Sequence, residues 1–138
     1  MPSIVSYRKY IDKNITRELN LPLDEDHRRL GTELATLDGI TYIALPDGAA
    51  LPDDQPAEIA DSIESVTLTP TLIADLKAAS PHVRLINQRV VEQIAEQYSL
   101  QGEIKLLRTA PSEEFDIYNA HVEACRAWGR AEKEKLGL

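Results

Sequence analysis

Proline placement constrains the fold of this chain more than any other feature of its sequence. Five of the eight prolines lie within or just beyond residues 46–70, namely Pro46, Pro52, Pro56, Pro70 and Pro81. Each proline lacks a backbone N–H and restricts the conformation of the residue before it. Residues 45–56 therefore cannot form a regular helix or a central strand, and we expect a linker or an extended surface loop there.

The prolines predict three parts: an α/β region at residues 1–45, a proline-rich connector at 46–68 and a helical domain at 69–138. Residues 32–45 predict a β-hairpin, because Asp38-Gly39 supplies the positive φ angles of a tight turn. The segment Ile40–Leu45 is β-branched and aromatic, as strands are. A lone hairpin is marginally stable, so it must pack on another element or pair with another chain.

The first twenty residues allow two interpretations. Apolar side chains recur every four residues and indicate a helix that ends before Pro22. These side chains are Tyr7, Ile11, Ile15 and Leu19. The β-branched residues Ile4 and Val5 leave a strand open as the alternative.

The domain at residues 69–138 carries strong helix signals. Thr69-Pro70 and Ser80-Pro81 each combine a capping residue with a proline at the first helical position. Further starts lie at Ser99 and at Pro111-Ser112-Glu113-Glu114, and Gly137 is the expected stop.

Each helix carries an apolar stripe at helical spacing. The stripes are Val83, Ile86, Val90, Ile94 and Tyr98; then Leu100, Ile104 and Leu107; and finally Phe115, Tyr118, Val122, Cys125 and Trp128. An antiparallel helical hairpin is the simplest way to bury the two longer stripes. The predicted fold class is therefore α+β, with a small N-terminal β-hairpin region, the connector and a C-terminal helical hairpin or bundle.

Charge and cysteine content exclude several classes of function. The net charge is −8, from 23 acidic and 15 basic residues, which opposes binding to nucleic acid because such binding needs a basic face. The single cysteine cannot form an internal disulfide, and no apolar run reaches the roughly 20 residues that span a bilayer. We expect a cytosolic protein that binds neither nucleic acid nor membrane.

No catalytic or metal-binding motif is present in the sequence. His121 and Cys125 share a helix face at a spacing that could hold a metal, but Cys125 lies on an apolar stripe and fits a small buried side chain better. The acidic run Asp24-Glu25-Asp26 lacks the glycine and terminal glutamate of a calcium loop, so we expect a solvated turn that opens a helical stretch. The sequence predicts no catalytic residue, no metal ligand and no cofactor.

Gly129, directly after Trp128, stands inside the predicted last helix, where glycine costs about 1 kcal/mol relative to alanine. Its absence of a side chain could let another chain or helix approach closely. Simple tolerance of glycine near a helix end is the alternative.

Two segments resemble small proteins encoded among bacteriophage and prophage tail genes. They are ASPHVRLINQRVV at residues 79–91 and YNAHVEACRAWGR at residues 118–130. The general plan is also similar to that of tail-fibre assembly proteins, in which Leu-Leu precedes an aromatic and arginine-rich helix, as Leu106-Leu107 and Arg126-Ala127-Trp128 do here. The resemblance lies mainly within residues 79–130.

The resemblance implies a non-enzymatic role, as a chaperone or minor tail component that binds tail or tail-fibre proteins. The implied location is the cytoplasm of a bacterial host or the virion tail. Arginine and tryptophan dominate many interfaces, so we expect partner binding by exposed residues of the long helices. These residues are Arg84, Arg89, Tyr118, Arg126, Trp128 and Arg130.

Two other functions stay open from the sequence. One is a structural homo-oligomer of the virion, in which the apolar stripes pair between chains. The other is a small enzyme whose site assembles from distant acids with His82 or His121.

Overall fold

The computed structural model describes residues 2–138 and has a mixed α+β fold. In chain order the elements are β1 (Ser3–Tyr7), β2 (Thr32–Leu37), β3 (Ile40–Leu45), α1 (Ala57–Ala60), β4 (Glu64–Val66), α2 (Pro70–Ala79), α3 (Pro81–Gln97), α4 (Leu100–Arg108) and α5 (Glu113–Lys135). The chain divides into two compact units. The sheet unit is the chain up to His82 together with Lys135–Leu138, and the helical unit is Val83–Glu134.

The four strands form one antiparallel sheet in the order β2-β3-β1-β4. The predicted hairpin is confirmed as β2 and β3, and both turn residues have positive φ, 51° at Asp38 and 79° at Gly39. Two positive φ angles match the right-handed twist of the flanking strands. The hairpin is not isolated, because β3 pairs with β1 along its other edge.

Successive side chains of a strand point to opposite faces, and both faces of this sheet are buried. Val5 and Ile43 pack on one face with Leu19 of the N-terminal segment and Ile59 of α1. On the other face Ile4, Leu34, Ala35 and Ala44 pack with Leu76 of α2, and Leu136 and Leu138 lie against them. The sheet therefore has two hydrophobic layers, one built from loops and α1, the other from α2 and the chain end.

The helix predicted between Tyr7 and Leu19 is wrong, and the strand alternative is confirmed as β1. Tyr7 and Leu19 are buried, but Ile11 and Ile15 are 41% and 40% exposed, so the four-residue spacing does not mark one buried face. Asp12 explains the local structure. Its carboxylate accepts the backbone N–H groups of Asn14 and Ile15, which offers the backbone a turn in place of a helix.

The run Asp24-Glu25-Asp26 forms a turn, as predicted, but no helix follows it. The Asp24 carboxylate accepts the N–H groups of Asp26 and Arg28, and Leu23 bridges Arg29 across the turn. His27 has a φ of 59°. A short polar side chain that satisfies the backbone in this way favours turns over helices.

The predicted connector is divided by the structure. Pro46–Pro56 contains no helix or strand, as expected from its prolines, but residues 57–66 contribute α1 and β4 to the sheet unit. Ile59 is fully buried and β4 pairs with β1, so this second half is part of the core and not a linker. The boundary between units falls after His82, because α2 packs Leu76 against the sheet.

The helix starts and stops follow the sequence signals. The hydroxyls of Thr69, Ser99 and Ser112 accept backbone N–H groups three residues on, at 3.0–3.1 Å. Each such cap satisfies a donor that the first turn leaves unpaired. Gly137 follows α5 with a φ of 79°. Within residues 2–138, no helix is long and apolar enough to cross a membrane.

Candidate protein-binding surface

The two long helices of the helical unit pack antiparallel, as the sequence predicted. Tyr98 of α3 meets Tyr118 of α5 edge-to-face, with ring centroids 4.8 Å apart. His121 lies one turn further along α5, and its Nε2 is 3.3 Å from the carbonyl oxygen of Gln93. Gly129 of α5 faces Val90 of α3. Residues with rising numbers on α5 thus contact residues with falling numbers on α3, so the two helices are antiparallel.

The two helices approach each other closely at Gly129. A Cβ placed on Gly129 would lie 2.7 Å from Cγ2 of Val90, closer than real side chains come. The structure thus gives this glycine a packing role toward α3 of the same chain. Simple tolerance of glycine is not the explanation.

The buried interior of the helical unit is small. Of its 52 residues, only Val83, Val122, Cys125 and Gly129 are buried. A folded unit of this size normally buries about 60% of the surface that its unfolded chain exposes. Much of the apolar surface on these helices is left in contact with solvent.

The most concentrated part of this exposed surface lies on α4. Leu100, Ile104 and Leu107 are 72%, 45% and 59% exposed. Their spacing of four and three residues places all three on one side of the helix, which we name the α4 face. Leu106 lies on a different side and is half-buried. The sequence marked these three residues as an apolar stripe, but it did not show that the stripe faces solvent.

An apolar groove adjoins the α4 face. It encloses about 350 Å³ and is lined by Val91, Ile94, Ala95, Tyr98, Leu100 and Glu103. Val91 is 66% exposed, so the apolar surface extends from α4 onto α3. Glu103 is the one charged group in this lining. The groove and the α4 face together form a surface that suits apolar side chains of another protein.

The six residues predicted to bind a partner are spread over α3 and α5. The arginines Arg84, Arg89, Arg126 and Arg130 are exposed, whereas Tyr118 and Trp128 are half-buried. Arg126 and Arg130 line a common groove, where they are joined by Lys133. Tyr118 packs against Tyr98 and contacts Glu103, which makes it mainly a structural residue.

The Tyr118 hydroxyl donates a hydrogen bond to Oε1 of Glu103 at 3.2 Å and so joins α5 to α4. Burial raises the pKa of Tyr118, and the hydrogen bond to the Glu103 carboxylate raises it further. A raised pKa means that the folded chain favours the protonated phenol. This contribution to stability is therefore complete below the ordinary tyrosine pKa of about 10 and is lost as the pH rises through the folded value.

We expect Tyr118→Phe to lower the stability of the helical unit by about 1 kcal/mol at neutral pH, the typical worth of one hydrogen bond. A second measurement tests the raised pKa. The near-ultraviolet absorbance of the wild type minus that of Y118F should change above a pH of about 10, where this phenol ionises. A difference spectrum that titrates below the value of free tyrosine would contradict the raised pKa.

His121 and Cys125 lie close together on α5, where both take part in packing of the helical unit. Cys125 Sγ is 3.7 Å from Nε2 of His121, which also faces the Gln93 carbonyl. Cys125 is 6% exposed. Within the described residues 2–138, no three His, Cys, Asp or Glu side chains are grouped to hold a metal ion.

The sheet unit has a wider groove, of about 490 Å³, whose polar lining mixes both signs of charge. Arg8 lies there with Glu58, Asp61 and Glu64. Glu58 pairs with Arg17 at 3.3 Å, and a backbone hydrogen bond lowers the pKa of Glu58, with a smaller contribution from Arg17. Glu58 is paired within the chain, and Arg8, Asp61 and Glu64 are exposed to solvent.

The chain was compared with models of protein families, with curated proteins and with solved structures. None of the three comparisons found a match.

Proposed function

We propose that this chain is a non-enzymatic phage tail or tail-fibre assembly protein, a chaperone or minor tail component, that binds another tail protein through its helical unit. The observation that carries the binding role is the α4 face, where Leu100, Ile104 and Leu107 project into solvent. The tail context comes from the resemblance of residues 79–91 and 118–130 to phage tail-associated proteins.

A row of aliphatic side chains exposed to water is energetically unfavourable for an isolated protein. Isolated apolar residues on a surface are ordinary, but a contiguous patch marks an interaction site. Burying the exposed parts of these three side chains against a partner would contribute on the order of 3 kcal/mol.

The test is binding to tail-fibre subunits from the phage or prophage that encodes this chain. We expect Leu100→Ala, Ile104→Ala and Leu107→Ala together to weaken binding by roughly thirtyfold, the equivalent of about 2 kcal/mol of lost apolar burial. Alanine keeps the helix, because it has the highest helix propensity. Interferometry on immobilised fibre subunit would measure the dissociation constant.

The matched control changes the polar side of the same helix, with Gln101→Ala, Lys105→Ala and Arg108→Ala. This variant should bind like wild type. Equal affinity of the wild type and the apolar triple variant for the fibre subunit, or no binding by either, would count against the proposal.

The α4 face also supports a second candidate, a structural homo-oligomer of the virion. A two-fold axis through such a face would bring the same apolar residues of two chains together. Light scattering coupled to size exclusion would then show a dimer for wild type and a monomer for the apolar triple variant. A wild-type monomer whose melting temperature is independent of concentration would remove this candidate.

A further inference from the structure

A second groove of the helical unit is lined by three cationic side chains and one amide. It encloses about 230 Å³ between α3 and α5. Its lining is Asn87, Val90, Arg126, Gly129, Arg130 and Lys133, with no acidic residue. We name it the basic groove. Gly129 opens its floor, because any side chain there would fill the space next to Val90.

The cations of the basic groove are only partly neutralised by the chain itself. Arg126 pairs with Glu123 at 3.2 Å, but both side chains are more than half exposed, so this pair is weak and exchangeable. Among the described residues 2–138, no carboxylate lies within 4.0 Å of the charged nitrogens of Arg130 or Lys133. In a chain with a net charge of −8, the groove thus gathers two cations without a close carboxylate and a third that is only weakly paired.

Guanidinium groups bind carboxylates through paired, charge-assisted hydrogen bonds, and an ammonium group adds a further donor. The groove is smaller than the roughly 300–1,000 Å³ of typical small-molecule sites, so it fits one or two side chains. The negative charge of the whole protein opposes a long polyanion. It affects a short segment less, because charges beyond about 8–10 Å are screened in physiological salt.

We infer that the basic groove binds carboxylate side chains of an acidic segment in the partner protein. This inference rests on the proposed function, since it names the chemistry of the protein that the helical unit binds. The groove would fix the orientation of that partner, while the α4 face would supply apolar contact.

The probe for this site is a hexaglutamate peptide added to the ¹⁵N-labelled chain of 138 residues. We expect chemical-shift changes at the Gly129 amide, the Asn87 side-chain amide, the Nε–H groups of Arg126 and Arg130 and the side chain of Lys133. The variant R126Q/R130Q/K133Q should raise the dissociation constant by roughly tenfold or more. Raising the salt from low to physiological concentration should also weaken binding of the peptide, because exposed charges are screened.

The matched control is K13Q/R28Q/K105Q, which removes the same three positive charges outside the groove. It should bind hexaglutamate with nearly wild-type affinity. If both variants lose binding equally, net charge explains the result and the inference is overturned. Unfolding of the groove variant followed by the fluorescence of Trp128, the one tryptophan of the chain, would verify that its helices remain packed.

Two further probes decide the class of occupant. Inorganic phosphate or a twelve-residue oligothymidylate that shifts the groove resonances as strongly as hexaglutamate would overturn the acidic-segment inference. A fibre subunit that needs the α4 face but binds R126Q/R130Q/K133Q normally would leave the proposed function standing and remove the groove from it. Binding of hexaglutamate without binding of any tail protein would leave the basic groove as a carboxylate site and remove the proposed function.

Discussion

Replacing Ile59 with alanine is expected to lower the free energy of unfolding of the sheet unit by about 2–5 kcal/mol. Ile59 is fully buried and belongs to the hydrophobic cluster that contains Val5, Leu19 and Ile43. Removing most of its side chain loses the free energy of burial and leaves a cavity that α1, only four residues long, can close only in part. A loss of this size is a large fraction of the stability of a typical domain, about 5–15 kcal/mol.

Hydrogen exchange of the amides in β1 and β3 would measure this loss within the sheet unit. The matched control is Ile15→Ala, the same chemical change at a side chain that is 40% exposed and therefore loses less burial. If residues 46–68 were a connector outside the folded unit, both substitutions would have equally small effects. Unchanged exchange rates in I59A would therefore contradict the placement of α1 in the core.

Features set by a few neighbouring residues could be predicted from the sequence, whereas features set by distant residues could not. Asp38-Gly39 predicted its turn because this dipeptide favours the two positive φ angles that a tight hairpin turn needs. The caps at Thr69, Ser99 and Ser112 were predictable for the same reason. Ile59 gave no comparable signal, because a four-residue helix is too short to show a period. Its burial depends on Val5 of β1 and Ile43 of β3, which are distant from it in sequence.

The N-terminal segment shows how a periodic pattern can mislead. Spacing of four residues indicates one helix face only if all the marked side chains are buried together. Here Leu19 reaches the core through an irregular segment, while Ile11 and Ile15 stay near 40% exposed. The Asp12 carboxylate fixes a turn between them. The competing local hydrogen bonds, and not the apolar spacing, decided the structure.

The candidate surface was partly predictable. The sequence identified arginines on the long helices, but not which of them share a groove, because that depends on the register of α3 against α5. It also identified the stripe Leu100, Ile104 and Leu107, but helix periodicity does not show whether a stripe faces the core or solvent. The α4 face became visible only when the other helices were in place.

Replacing Gly129 with alanine is expected to destabilise the helical unit by up to about 2 kcal/mol, although alanine is the better helix former. The propensity gain is about 1 kcal/mol. Against it stands a methyl group 2.7 Å from Cγ2 of Val90, and overpacking of this kind costs about 1–3 kcal/mol. Val90 cannot rotate away easily, because a β-branched side chain in a helix has one strongly preferred rotamer. The clash should therefore decide the sign.

Val90→Ala provides the test of that cause, because it removes the atom with which the new methyl group collides. We expect V90A to suppress most of the damage in the double variant G129A/V90A, with a coupling energy of about 1 kcal/mol or more. Urea unfolding followed by Trp128 fluorescence would report on the helical unit. Ala127→Gly, on the exposed side of the same helix, measures the propensity term alone, at about 1 kcal/mol. If G129A instead raised stability by the amount that A127G lowers it, α3 and α5 would not approach closely at this point, and the floor of the basic groove would lie elsewhere.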